Sequence, residues 1–176
     1  MKLALILLCL ILNPFGALLA SDYVPPPNEA VAPRAGYARV FIYRTQASVG
    51  RYGFGYGVAP KIVIGAKAAT ALKQDQFTVV FLKPGTYSIG TEESVFLQAL
   101  SGYTKLKGEL SVVADKTYYL KNYGDVLVPQ DAISNTVKAS TRDGIWYNAL
   151  VLSTESFGVE EISRCAYVAP FVQVYE

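Results

Sequence analysis

The sequence predicts a mainly β protein: a single β-sandwich, Ig-like or transthyretin-like, with one short C-terminal helix. Three observations carry this expectation. Short runs rich in Val, Ile, Phe, Tyr and Thr recur between turn signals, as in ARVFIYR, QFTVVFL and TYYLKNY. Within QFTVVFL, Phe77, Val79 and Phe81 alternate with the period of two that a strand imposes. Hydrophobic residues make up 52% of the 176 residues and charged residues only 17%, which supplies one domain with a core and argues against disorder.

The chain opens with Met1-Lys2 and an apolar run, Leu3 to Leu12, broken by Asn13-Pro14-Phe15-Gly16. Residues 1–20 have the layout of a secretory signal peptide cleaved after Ala20, although Leu18 stands where a small residue is preferred. Pro14 and Gly16 keep the apolar run below the roughly 20 residues that a membrane span requires. Once cleaved, the mature chain would carry no transmembrane segment, and the expected location is the periplasm or cell envelope. An uncleaved N-terminus would instead leave the protein membrane-associated. Cys9 lies inside the apolar run after Leu7-Leu8, so it does not sit where a lipid-anchored cysteine would.

Residues 21–36, SDYVPPPNEAVAPRAG, favour polyproline II and read as a Pro-rich, semi-rigid tether. The β-sandwich domain is expected over residues 37–176. Its first strand is ARVFIYR (Ala38 to Arg44). KIVIG, a turn at Ala66-Lys67, and AATAL (Ala68 to Leu72) follow. Lys83-Pro84-Gly85 is a turn by mechanism, with Pro fixing its own φ and Gly tolerating a positive one. It would join QFTVVFL to TYSIGT as a hairpin. GELSVVA and TYYLKNY, linked by Asp115-Lys116, read as a further hairpin. Val128 to Gly144 is polar and suggests a loop with a short helix, whereas Ile145 to Leu152 suits a buried strand. Ser153-Thr154 can cap a helix running to Cys165, weakened by Gly158, and Ala169 to Tyr175 suits a last strand.

GRYGFGYG, from Gly50 to Gly57, looks at first like a phosphate-binding loop. A Walker loop needs Lys and Ser or Thr where this chain has Tyr56-Gly57. A dinucleotide fingerprint needs a third glycine opening a helix, and Pro60 stands there, before a strand-like KIVI. Alternation explains the pattern better: Tyr52, Phe54 and Tyr56 project to one side of an extended chain and the glycines to the other. Those three rings either cover the core or form a binding platform for a partner or a sugar.

Other chemistry is narrowed by what is missing. No histidine is present, which removes the usual general base and any Ser-His-Asp or Cys-His arrangement. No CxxC exists, no metal site is expected, and Cys165, the one cysteine left after cleavage, suits a small buried side chain. Sixteen basic against 14 acidic residues leave +2 with no basic cluster, so nucleic acid is not an expected partner. Glu92-Glu93 and Glu160-Glu161 are adjacent pairs that cannot flank one bond and read as solvated surface. No catalytic residue and no cofactor is expected.

Val58 to Ile89 and Ala114 to Tyr123 carry APKIVI, LKPGTYSI and DKTYYLK. With ARVFIYR before them and STESFGVEEISR after, these segments resemble a bacterial domain-of-unknown-function family of envelope proteins, many of them lipoproteins. They are also similar to small β-sandwich domains of the PEGA type. The resemblance covers residues 38–164. It implies an exported β-sandwich with no established enzymatic activity and no agreed ligand. The leading expectation is a non-enzymatic structural or protein-interaction domain of the envelope, with an envelope protein or surface component as partner. The alternative reading is a small-ligand or glycan-binding module using Tyr52, Phe54 and Tyr56.

Overall fold

The computed structural model describes residues 26–45, 59, 61–92, 107–123, 136–142 and 145–176. They form two sheets, so the fold is mainly β, a sandwich with one short C-terminal helix. The larger sheet has the order β10-β4-β1-β7-β9-β8, with β11 also on β4, and the smaller has the order β3-β2-β5-β6. The larger sheet's strands are β1 (Ala38–Arg44), β4 (Gln76–Leu82), β7 (Thr117–Asn122), β8 (Thr136–Arg142), β9 (Ile145–Ser153), β10 (Ala166–Tyr167) and β11 (Val174–Tyr175). The smaller sheet holds β2 (Lys61–Ile64), β3 (Lys67–Ala71), β5 (Gly85–Glu92) and β6 (Lys107–Val112). Two helices complete the described chain, α1 (Asn28–Val31) and α2 (Glu155–Ile162).

Alternation decides what each face does. Ala38, Val40 and Ile42 of β1, Val80 and Leu82 of β4, and Leu120 of β7 point between the sheets. There they meet Ile62, Ile64, Ile89, Leu110 and Val112. The other face of the larger sheet is buried too: Tyr43, Phe77, Val79, Phe81 and Tyr119 form a second cluster with Cys165. β4 is therefore covered on both sides, as its run of apolar residues suggests. Val31 and Tyr37 on the N-terminal side, and Ile162, Tyr167 and Val174 on the C-terminal side, roof the outer cluster.

Both open sides of the sandwich are closed. β6 and β8, at the edges of the two sheets, lie against each other. On the opposite side the C-terminal segment pairs with β4 at both ends, and between them Phe171 donates its N–H to Ala69 O at 2.8 Å. That bond carries the segment across to β3. Covering or pairing an edge removes unsatisfied backbone groups that would otherwise template aggregation.

Several elements differ from the sequence expectation. Neither predicted hairpin forms: β4 pairs with β1 and β5 with β2 and β6, while β6 stays with β5 and β7 joins β1 and β9. Both turns arch between the sheets, because each strand carries an inward row that only facing sheets can interdigitate. Asp115, with φ +59°, still makes the second turn. Residues 136–142, within the stretch read as a loop with a helix, form β8. Of the expected last strand only Val174–Tyr175 pairs, and Ala166–Tyr167 pairs before it.

The stretch read as a tether is described from Pro26 onward, and there it is packed on the domain. Arg39 Nη1 donates to Val31 O at 2.9 Å, and Gln173 Nε2 donates to Ala30 O at 3.2 Å. Gly36, at φ +78°, donates its N–H to Asp115 Oδ1 at 2.9 Å. Proline forbids regular strand pairing here without forbidding docking through carbonyls and an occasional valine.

Candidate functional site

Tyr52, Phe54 and Tyr56 lie outside the described residues. Their segment can nevertheless be located at its ends. β1 finishes at Arg44 opposite Gln76, and β2 starts at Lys61 opposite Ala71 and Glu92. Arg44 Nη1 donates to Leu72 O at 3.2 Å, which brings those ends of the two sheets together. The connections 46–60, 93–106 and 124–135 all join strands at this one end of the sandwich.

The interior of that end is polar. Register places Gln76, Arg44 and Asn122 side by side on the inner face of the larger sheet, with Thr78 one step deeper. Thr70 and Thr91 flank Ile62 on the facing sheet. Arg44 is 4% exposed, Asn122 1%, and the threonines 1% or less. A guanidinium this deep must be hydrogen-bonded and compensated to be tolerated, so the layer fixes how the two sheets meet. Thr70 Oγ1 and Thr78 Oγ1 have no hydrogen-bond partner among the described residues.

On the outer face, α2 docks over β1 and β7 through a second polar group. Lys121 Nζ and Glu161 Oε1 form an ion pair whose side chains are 10% and 15% exposed. Thr45 Oγ1 donates to the same carboxylate oxygen at 3.3 Å. The Lys121 ammonium also lies 4.7 Å from the Tyr123 ring centroid and 5.3 Å from that of Phe157, within cation–π range. Tyr43, beneath α2, donates its hydroxyl to Ser153 Oγ at 2.7 Å. Gly158 is the one buried residue of the helix and sits directly on the Tyr119 ring. Phe157 and Val159 face solvent.

This group holds chemistry-bearing residues, and their environments disarm them. Burial pushes the Tyr43 hydroxyl far above its ordinary range; the Ser153 hydrogen bond opposes that shift and the nearby Glu161 charge adds to it. A phenol so held donates to Ser153 and cannot act as a base towards it. Burial likewise raises the Cys165 thiol to about 12, with Asp75 and Glu161 adding to the effect, so the nucleophilic thiolate is suppressed. What the arrangement does is fix α2 on the sheet.

Sequence reasoning missed Lys121, Glu161, Arg44 and Asn122. Of the adjacent pair Glu160-Glu161, Glu160 matches the solvated reading and pairs with Arg164 at 2.8 Å, but Glu161 turns inward to Lys121. Gly158 in mid-helix was the available signal, since a close approach of helix backbone to a ring leaves no room for a Cβ. Cys165 is buried, as its type suggested. Among the described residues no cluster of His, Cys, Asp and Glu suits a metal ion, and no helix is long and apolar enough to cross a membrane. Compared with protein-family models, curated proteins and solved structures, the chain matches none.

Proposed function

We propose that the chain is a non-enzymatic exported protein of the bacterial envelope, working as a structural or protein-interaction domain. The observation that carries this reading is the state of its reactive groups. Cys165, Tyr43, Lys121 and Glu161 are tied into the docking of α2, and burial holds the thiol and phenol in their protonated forms. Residues committed in this way stabilise a scaffold and are poorly placed to meet a substrate. Export rests on the apolar run Leu3 to Leu12 and the small residue Ala20.

The second reading, a small-ligand or glycan-binding module, is favoured by one feature. The segment holding Tyr52, Phe54 and Tyr56 joins the same sandwich end as two other long connections. Connections that meet at one end of a rigid sandwich are a common place for recognition.

The test is to express the full chain in its native host and to determine its compartment and N-terminus by fractionation and mass spectrometry. A mature chain starting at Ser21 in the envelope fraction is expected. A cytoplasmic chain retaining Met1 would overturn export. Retention of residues 1–20 in the membrane fraction would mark the N-terminus as an anchor.

A further inference from the structure

The two ends of the domain are fastened to each other. The N-terminal strap, residues 26–37, crosses the outer face of the larger sheet and meets the C-terminal tail, residues 166–176. Gln173 is the join. Its side-chain Oε1 accepts from Arg34 Nη2 at 3.4 Å, its Nε2 donates to Ala30 O at 3.2 Å, and its backbone O accepts from Phe81 N at 2.8 Å. One residue thus holds the strap with its side chain and the edge of β4 with its backbone. The apolar contacts overlap in the same way: Val31 and Tyr37 from the strap, and Tyr167 and Val174 from the tail, pack on one cluster containing Phe77, Val79 and Phe81. The Arg34 guanidinium lies 4.6 Å from the Phe81 ring centroid, beside β11.

The strap is otherwise held mainly by polar staples. Arg39 reaches it through Nη1 to Val31 O, while its Nη2 donates to Thr117 Oγ1 at 3.1 Å. Asp115 accepts from Gly36 N and donates its own N–H to Tyr37 O at 3.0 Å. α1 spans four residues, none of them buried. Elements with few buried apolar contacts open before the core does. The tail pairs with β4 in two dipeptide patches, and its Tyr175 hydroxyl is buried with no partner among the described residues.

We propose that strap and tail form one clasp that opens as a unit, so that release of the N-terminal strap uncovers the outer edge of β4. Opening would free the N–H groups of Phe81 and Lys83 and the carbonyls of Asp75 and Phe77, the groups an added extended strand would use. It would also bare the ring of Phe81. The device links whatever holds the N-terminal segment to the exposure of a strand edge on the domain. The coupling is a property of the folded domain and does not depend on export.

Amide hydrogen exchange on the full-length chain tests it, using residue-resolved reporters. Gly36 and Tyr37 report on the strap, Lys83 and Val168 on the two ends of the tail, and Tyr123, whose N–H bonds Ala149 O, on the core. Arg39→Gln removes strap contacts without touching the tail, and Gln173→Ala removes the join. Each is expected to raise exchange at Gly36, Tyr37, Lys83 and Val168 about tenfold, with Tyr123 unchanged. Arg39→Gln that speeds the strap but leaves Lys83 or Val168 at the wild-type rate would refute a single clasp. Equal acceleration of all five amides would refute it too, because opening would then be global unfolding.

Discussion

Replacing Gly158 by alanine sets two physical effects against each other, and the docking of α2 decides the sign. In an isolated helix the change stabilises by about 1 kcal/mol, through intrinsic propensity. Here the new Cβ would stand 2.4 Å from Tyr119 Cγ, 2.5 Å from Cδ1 and 2.6 Å from Cβ. Carbon atoms settle about 3.5–4.0 Å apart, so the gap must widen by roughly 1 Å. The ring has no room to yield, because it stacks on Phe41 with centroids 5.2 Å apart and planes 6° from parallel. Arg39 lies 5.1 Å from the Phe41 centroid as well. α2 must therefore lift, and lifting draws Glu161 away from Lys121. Overpacking of this kind costs about 1–3 kcal/mol. Crediting propensity leaves a net loss of about 0–2 kcal/mol. Urea unfolding followed by circular dichroism measures it, with Tyr119→Ala as the second arm of a double-mutant cycle. In that background the cost of Gly158→Ala should shrink without vanishing, because alanine at 119 removes the ring contacts but keeps a Cβ 2.6 Å from the new one. A stabilising effect in the wild-type background would refute the close approach of helix and ring.

Four further outcomes follow from the same geometry. Glu161→Gln leaves the Lys121 ammonium without its counter-ion and should cost about 3 kcal/mol, the lower end for a buried pair, read by urea unfolding; a change under about 0.5 kcal/mol would mean the pair is solvated. Thr78→Val removes a buried hydroxyl without a described partner, and Tyr175→Phe does the same, so each should raise stability by about 1 kcal/mol in thermal melts. Stability should fall as the pH rises above about 9. Burial raises the Cys165 thiol from 9.0 to about 12 and Tyr175 from 10.0 to about 12, so the unfolded groups ionise first and draw the equilibrium towards unfolding. The contribution is complete below the unfolded values and is lost as pH passes the folded ones. In the native protein at pH 8 a thiol reagent should leave Cys165 unmodified, and it should react fully in denaturant.

The strands were legible wherever alternation was strong. β1 and β4 were readable to the residue, because their apolar rows must face two packed layers. Partner choice was not readable. β1 runs parallel to β7, more than 70 residues away, and nothing local in LKPGTYSI or ADKTYYL says whether a turn folds a strand back or carries it across. β8 was lost because TVKASTR lacks a run of bulky apolar residues and is set by pairing with β9. The polar groups escaped for a related reason. Lys121 and Glu161 look like surface charges one at a time, and only the docking of α2 buries them together. Arg44 ends an apolar strand, where a charge normally marks the surface, yet its parity with Ile42 turns it inward. The docking face of α2 carries glycine and glutamate where an amphipathic helix would carry leucine, so periodicity gave no guide.

The proposed association of this domain in the envelope is tested by crosslinking in intact cells. Wild type and a Tyr52/Phe54/Tyr56→Ala variant of equal folded yield would be crosslinked in the native host, recovered from the envelope fraction and identified by mass spectrometry. A discrete set of envelope proteins crosslinked to the wild type is expected. Loss of that set from the variant would assign the aromatic segment to the interface, and its retention would place the interface elsewhere on the domain. Recovery of the wild-type chain with no crosslinked protein, at a level no different from an unrelated exported control, would contradict the account.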